Sequence, residues 1–537
     1  MSSGRVSTAV TGDTPWRNDV LGAFDWRHLR VIVDTWRVGV GIKQLSRACA
    51  DNGGMRISII CALLAIAACS KPNPGACCTT QEQCDVVGLD GITGCKAENV
   101  CDPNGACVAK ECSTSADCTS PDKPVCINEL CVAKCMVDDD CTGLVGTPHC
   151  GADGVCVACV DDTQCATDAP VCDSQARACR GCAADAECPS GVCLEADGRC
   201  ADSQEILYLR ADGSDAGDCE QSAPCKTFGY AFQKVSSTRT VVHILGTTLN
   251  VGSGTIDLPS RSIYIDGEDT VLQSAGSAAV FTANFGTAAI SRITVGGVSG
   301  QNSFAVGGGT LHLYDLKILS PIVFSAGTLM LAKSAISGGL FGIDCSGGGV
   351  LSVEESAVHT RIRTDSCPTT IRRSTFDNTG GALNLGGSAV VTVENNLFTS
   401  TDYYTDEAFV SGAAGSTVRF NTFVNTSGVD MGSQSLGCTG AVDVTSNIFA
   451  WHTDNAPSNC SPRYSLFDTT VGIQPGVGNK VGDPASFFVD LPQADFHLAP
   501  GSPAIDAAEA GLPVDIDLDG HARPNGSAPD MGAYEAP

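Results

Sequence analysis

The sequence predicts a mainly β fold: a solenoid of stacked parallel coils over residues 206–537, preceded by a disulfide-rich repeat stalk over residues 77–200. Three observations carry this reading. Gly makes up 60 of 537 residues while 17% are charged, and each Gly in a helix interior costs about 0.5–1 kcal/mol relative to Ala. Twenty-two of the 31 cysteines lie between Cys77 and Cys200. After Cys200, two apolar residues five positions apart recur eight times in register. Composition excludes other classes. With 43% hydrophobic residues and a mean hydropathy of +0.08 the chain buries a core. A net charge of −28 removes the basic footprint that nucleic-acid binding needs.

Compartment is read from the first 69 residues. Residues 55–69 read MRISIICALLAIAAC: one Arg, the apolar run Ile57 to Ala68, then Cys69. The run is shorter than the ~20 residues a membrane-spanning helix requires and fits the apolar region of a secretory signal. Ile66-Ala67-Ala68-Cys69 resembles the lipobox of bacterial lipoproteins. The resemblance implies cleavage before Cys69, acylation of that residue and a membrane partner through the lipid. Residues 1–54 hold three of the four Trp and a composition found nowhere downstream. Met55 is therefore the expected translation start and 1–54 an upstream extension.

The Cys-rich region is periodic. Cys-x5-Cys occurs at Cys78, Cys112, Cys135, Cys159 and Cys182, and the last four copies begin 23, 24 and 23 residues apart. Such small repeats lack large apolar residues, so cross-links must stabilise them, at ~2–4 kcal/mol per disulfide. Zinc competes, because Cys156-x2-Cys159 and Cys179-x2-Cys182 have ligand spacing. Both pairs straddle a junction between repeats, however, and export favours oxidation. Four cysteines per repeat leave three connectivities open. The region resembles the Cys-rich repeats of secreted proteins from predatory and social bacteria.

The coil register is carried by Ile290/Val295, Leu313/Ile318, Leu331/Ile336, Val353/Val358, Ile371/Phe376, Val393/Phe398, Val418/Phe423 and Val444/Phe449. Successive copies are 23, 18, 22, 18, 22, 25 and 26 residues apart, about what three short strands and three turns consume. Two positions before the second apolar residue stand Ser334, Ser356, Ser374, Asn396, Asn421 and Asn447. Stacked at ~4.8 Å, these side chains can pair backbone groups that a sharp bend leaves open. Phe376, Phe398, Phe423 and Phe449 are expected to form an internal aromatic stack. On these residues the chain resembles the right-handed parallel β-helix (pectin lyase-like) family.

Cysteines follow the same register. Cys345 lies nine residues after Ile336 and Cys367 nine after Val358, so the two are expected to stack and bond. Cys219-x5-Cys225 closes a local loop, and Cys438 with Cys460 is expected on spacing alone. Phe228, Ala231, Phe232 and Val235 follow helical spacing and predict a short helix over the open end. Asp495 to Leu498, Gly501 to Asp506, Asp519-Gly520, Arg523 and Asp530 to Glu535 resemble the C-terminal segment common to surface β-helix proteins. The resemblance implies a C-terminal capping segment.

Candidate chemistry is sparse. β-Helix enzymes that cut acidic polysaccharides need gathered carboxylates, and this half lacks an Asp-Asp pair, Gly-His-Gly and Arg-x-Lys. A basic group, His359, Arg361, Arg363, Arg372 and Arg373, stands out in so acidic a chain. Arg372 and Arg373 fall into columns of alternating charge with Glu354, Glu355, Glu394 and Arg419, which predicts a ladder of ion pairs between coils. Arg361 and Arg363 lie outside it and are candidate ligand-binding residues. Tyr403 and Tyr404, in the coil of 25 residues, are candidates for stacking on sugar rings. Asp515-x-Asp517-x-Asp519-Gly520 alternates oxygen ligands like a Ca²⁺ loop. Arg523 and Gly526 at positions nine and twelve exclude a complete EF-hand, and a plain acidic turn is the simpler alternative to a structural Ca²⁺. No other cofactor is required.

The expected protein is an exported, lipid-anchored lipoprotein of the outer membrane or cell surface. Its β-helix displays a surface for an anionic polysaccharide or another cell-surface partner. The rival is a polysaccharide lyase or glycoside hydrolase on the same fold.

Overall fold

The computed structural model describes residues 146–537, apart from 277, 299, 378–380, 401–407, 426–434, 451–456 and 470–473, and segments between 99 and 145. Cys69, Tyr403, Tyr404 and Trp451-His452 lie outside the described residues. The chain divides into two compact units, Met1–Cys156 and Val157–Pro537. The second unit holds two of the Cys-rich repeats together with the solenoid, so the compact unit begins upstream of the composition change near residue 200.

Each described repeat is cross-linked first cysteine to third and second to fourth: Cys112–Cys126 with Cys118–Cys131, Cys135–Cys150 with Cys141–Cys156, Cys159–Cys172 with Cys165–Cys179, and Cys182–Cys193 with Cys188–Cys200. The acidic residue three positions after the first cysteine explains the local geometry. Asp138, Asp162 and Asp185 accept the backbone N–H of the third cysteine, Cys150, Cys172 and Cys193, at 2.7, 2.7 and 2.8 Å. Gln164 and Glu187, just before the second cysteine, accept from Val160 and Ala183 and close the turn.

The rest of the second unit is a parallel β-helix. Its strands form one continuous sheet of 28 strands, in which each coil lays a strand on the coil before it. Three faces result. The first includes Thr328–Ala332, Val350–Glu354 and Thr369–Arg372. The second includes Ala357–Val358, Thr375–Phe376, Leu397–Ser400 and Thr422–Asn425. The third includes Phe341–Cys345, Arg361–Asp365 and Leu383–Gly386. The apolar pairs align as the spacing predicts: Leu331 pairs Val353, Val353 pairs Ile371, Ile371 pairs Val393, and Phe376, Phe398, Phe423 and Phe449 pair in sequence. Their rings stack at 4.7, 4.7 and 5.1 Å, and Phe467 extends the column at 5.2 Å.

Between the first and second faces the chain turns on one residue. Lys333, Glu355, Arg373, Asn395, Phe420 and Ser446 adopt φ of 50°, 48°, 44°, 53°, 55° and 59°. That left-handed conformation costs an L-residue ~1–2 kcal/mol. The next residue in each coil offsets it. Ser334, Ser356, Ser374, Asn396, Asn421 and Asn447 are buried, and each side chain accepts the N–H of its counterpart one coil below or, for Ser334, of Leu316. Ser465 and Asn479 continue the ladder. Outside it, Glu394 binds Arg372 at 2.8 Å and also Arg419, while Arg373 binds Glu355 at 2.9 Å.

The ends are closed separately. The helix Phe228–Lys234, N-capped by Thr227, sets Phe228 against Phe281 at 6.0 Å. The C-terminal segment lies along the outer side of the second face. Its Phe488, Phe496, Met531 and Ala533 cover Leu397, Val424, Ile448 and Leu466. Gly532 N–H donates to Ser446 O, and Ala533 N–H to the Thr422 hydroxyl. Cys345–Cys367, Cys219–Cys225 and Cys438–Cys460 are bonded. The last pair forms because Ser458 returns to register with Gly437, bringing Cys460 beside Cys438.

Replacing Asn421 by Ala would leave the interior N–H of Asn396 unpaired and cost about 1–3 kcal/mol for that group alone. The expected outcome is a lower denaturation midpoint, partly restored by Asn421→Ser. A midpoint equal to wild type would show that the ladder contributes nothing.

Candidate functional site

The basic group seen in sequence separates in space. Arg372 and Arg373 stay with the ion-pair ladder at the bend, whereas Arg361 and Arg363 project from the third face, where alternate residues of Arg361–Asp365 point outward. Register builds the surface. Val323, Asp344, Arg363, Asn384 and Phe409 stand in one column over five coils, and Phe341 pairs Arg361 beside it. The Cys345–Cys367 bond lies directly behind, since Cys345 follows Asp344 and points inward with no exposure.

The two arginines differ in their partners. Arg363 binds Asp344 through two hydrogen bonds, the Nε–Oδ1 contact measuring 2.9 Å, and its guanidinium sits 4.3 Å over the Phe341 ring. Hydrogen bonding to Asp344 raises the Arg363 pKa. Arg361 has no carboxylate partner among the described residues. Its Nε donates to Gly381 O at 3.3 Å, and its guanidinium lies 5.8 Å from the Phe341 centroid. Leu340 next to Phe341 is 73% exposed. The arrangement is a fixed guanidinium with an aromatic plane and an apolar side chain alongside, which suits a carboxylate on a ring with an apolar face. Phe341 and Asp344 were not singled out from sequence; pairing Phe341 with Arg361 one coil on was the available signal.

Asp515, Asp517 and Asp519 are not brought together. Asp517 is fully buried, and its oxygens accept the N–H groups of Asp519, His521 and Glu535. Asp519 instead meets His497. Among the described residues, the sets of three metal-capable side chains within 4.8 Å are cysteines of the repeats, all in disulfides. The acidic turn therefore does not fit a Ca²⁺ shell, because its central carboxylate is committed to the backbone.

A second ionisable cluster escaped the sequence reading. His243 Nδ1 lies 2.9 Å from Asp266 Oδ2, and Ser291 Oγ donates to Asp266 Oδ1 at 2.8 Å. Arg292 donates to the same carboxylate and, through Nη1, to Asp185 at 2.7 Å. Burial opposes ionisation of Asp266, but hydrogen bonds from His243 and Arg292 outweigh it and lower the pKa. Ser291 and His243 both address Asp266 rather than each other, so the order nucleophile–base–orienter is absent. The cluster joins the last repeat to the coils. Clefts of about 280 and 320 Å³ lie by the cap helix and beside Cys200, neither lined by Phe341, Arg361 or Arg363.

Two outcomes are expected. Chelator leaves the melting temperature unchanged; a fall would return a metal to the acidic turn. His497 lies between Asp495 and Asp519 at 2.5 and 2.7 Å, with Tyr534 4.4 Å away. Burial lowers its pKa, but the hydrogen bonds it donates to Asp519 and Asp495 outweigh that and raise it. The stability it contributes is thus present below the ordinary imidazole value and lost as pH rises through the raised one. Melting of wild type against His497→Gln should show an advantage at about pH 5 that disappears by about pH 9; an advantage growing with pH would contradict this.

No protein-family model matches the chain, and no curated protein sequence matches it. Among solved structures it is similar to the pectate lyase Pel9A, at 16% identity and a TM-score of 0.40, over 62% of this chain and 96% of that one.

Proposed function

We propose that this chain is an exported lipoprotein, held to the outer membrane or cell surface through Cys69, whose β-helix binds an anionic polysaccharide on its third face around Arg361. The observation that carries the reading is the Arg361 guanidinium. It is held against Phe341 beside exposed Leu340, with no carboxylate partner among the described residues. In a chain of net charge −28 most of the described arginines meet acids, and an anionic ligand would supply the missing one. The density of disulfides fits an oxidising compartment. No described helix is long and apolar enough to cross a membrane.

Cosedimentation with polygalacturonate, alginate and hyaluronan, against neutral dextran, tests the reading. A charge-assisted hydrogen bond is worth ~1.5–3 kcal/mol, so Arg361→Gln should weaken binding roughly 10- to 100-fold. Arg372→Gln should leave it near wild type, because that side chain faces the ladder. Equal binding by Arg361→Gln would remove the site. Release of unsaturated or reducing ends from any of the three polymers would replace binding with catalysis.

A further inference from the structure

The last Cys-rich repeat is docked on the solenoid rather than merely joined to it. Its Val192, Leu194 and Ala201 form one buried cluster with Ile206, Tyr208 and Val241 of the first coils, and Tyr264 packs against it. Polar contacts surround this cluster. Arg199 binds Glu205 at 2.9 and 3.0 Å and lies 5.3 Å over the Tyr264 ring, while the Tyr264 hydroxyl donates to Asp197. Asp185 holds Arg292 through two hydrogen bonds of 2.7 and 2.9 Å, and Glu195 stands 3.8 Å from the same guanidinium.

Asp185, Leu194 and Arg199 are placed by the two disulfides of this repeat. Asp185 sits in the turn between Cys182 and Cys188 and is oriented by the N–H of Cys193. Arg199 and Leu194 are paired in the short hairpin that also pairs Cys200 with Cys193. Cys182 and Cys193 are buried, but Cys200 is only half-buried and lines the cleft of about 320 Å³ with Thr167, Pro189 and Ser203. Of the Cys188–Cys200 pair, Cys200 is therefore the residue that meets the cleft, while Cys188 is buried.

We propose that Cys188–Cys200 is a redox latch: its reduction releases the last repeat from the first coils and uncovers the strip formed by Ile206, Tyr208, Val241 and Tyr264. A dithiol reductant attacks Cys200 Sγ and forms a mixed disulfide while Cys188 leaves as the thiolate and takes up a proton. The second thiol of the reductant then displaces Cys200, which is protonated in turn, and the dithiol becomes a disulfide. Two electrons and two protons pass to the protein. With the hairpin freed, Arg199 and Asp185 lose their fixed positions, and Arg292 keeps Asp266 as its anchor.

The full chain is treated with dithiothreitol without denaturant. Bond cleavage is followed by alkylation and mass spectrometry, and backbone opening by hydrogen exchange. Cleavage of Cys188–Cys200 should coincide with at least tenfold faster exchange in 206–210, 241–245 and 263–266, while 350–376 stays protected. The Cys188→Ser/Cys200→Ser variant should show the same opening without reductant, and Arg292→Gln should open the strip with both bonds intact. If the double variant does not fold, reduction of the wild type decides the matter alone. Unchanged exchange in 241–245 after cleavage, or opening that follows Cys165–Cys179 instead, would overturn the latch.

Discussion

A parallel β-helix must bend its backbone sharply several times per coil, and here the bend between the first and second faces passes through a single left-handed residue. The N–H that follows points along the stack and cannot join either sheet. Ser334 through Asn447 answer this by lending each coil's side chain to the backbone of the coil below. Asn also donates: Asn421 reaches Val393 O and Arg419 O, and Asn447 reaches Val418 O and Thr445 O. The ladder fixes register, and register places everything else, including the phenylalanine stack and the Glu394 ion pairs.

Register also governs the outer surfaces. On the second face the outward column runs Ala335, Ala357 and Thr375, then Leu397, Thr422, Ile448 and Leu466. It turns largely apolar where the C-terminal segment lies over it. On the first face the lower coils take the last repeat, whose Asp185 balances Arg292. The third face around Arg361 is covered by neither. Two of the three faces thus carry other segments of the described chain, and Phe341, Arg361 and Arg363 lie on the third.

Cross-linking follows a division of labour. In the repeats, two interleaved disulfides stand in for a core that so few apolar residues could not build. In the solenoid the three disulfides join residues already in contact, so they reinforce a fold that its stacked interior holds together.

The sequence by itself determined the coil. The apolar pairs recur 18 to 26 residues apart, and a polar bend and stacked cysteines repeat with them, so a periodic reading recovers the coils. It also separated Arg361 and Arg363 from the charge ladder, because columns are legible in register. Tertiary structure decided what no period carries. Arg292 meets Asp185 across 107 residues, and Asn395 meets Ile516 across 121. The 1–3, 2–4 pairing of each described repeat likewise depends on its hairpin. Asp517 had the spacing of a metal ligand, yet folding turned its oxygens onto three backbone N–H groups. Spacing gives the order of donors along a chain; which partner each one faces depends on how separate segments close over one another in space.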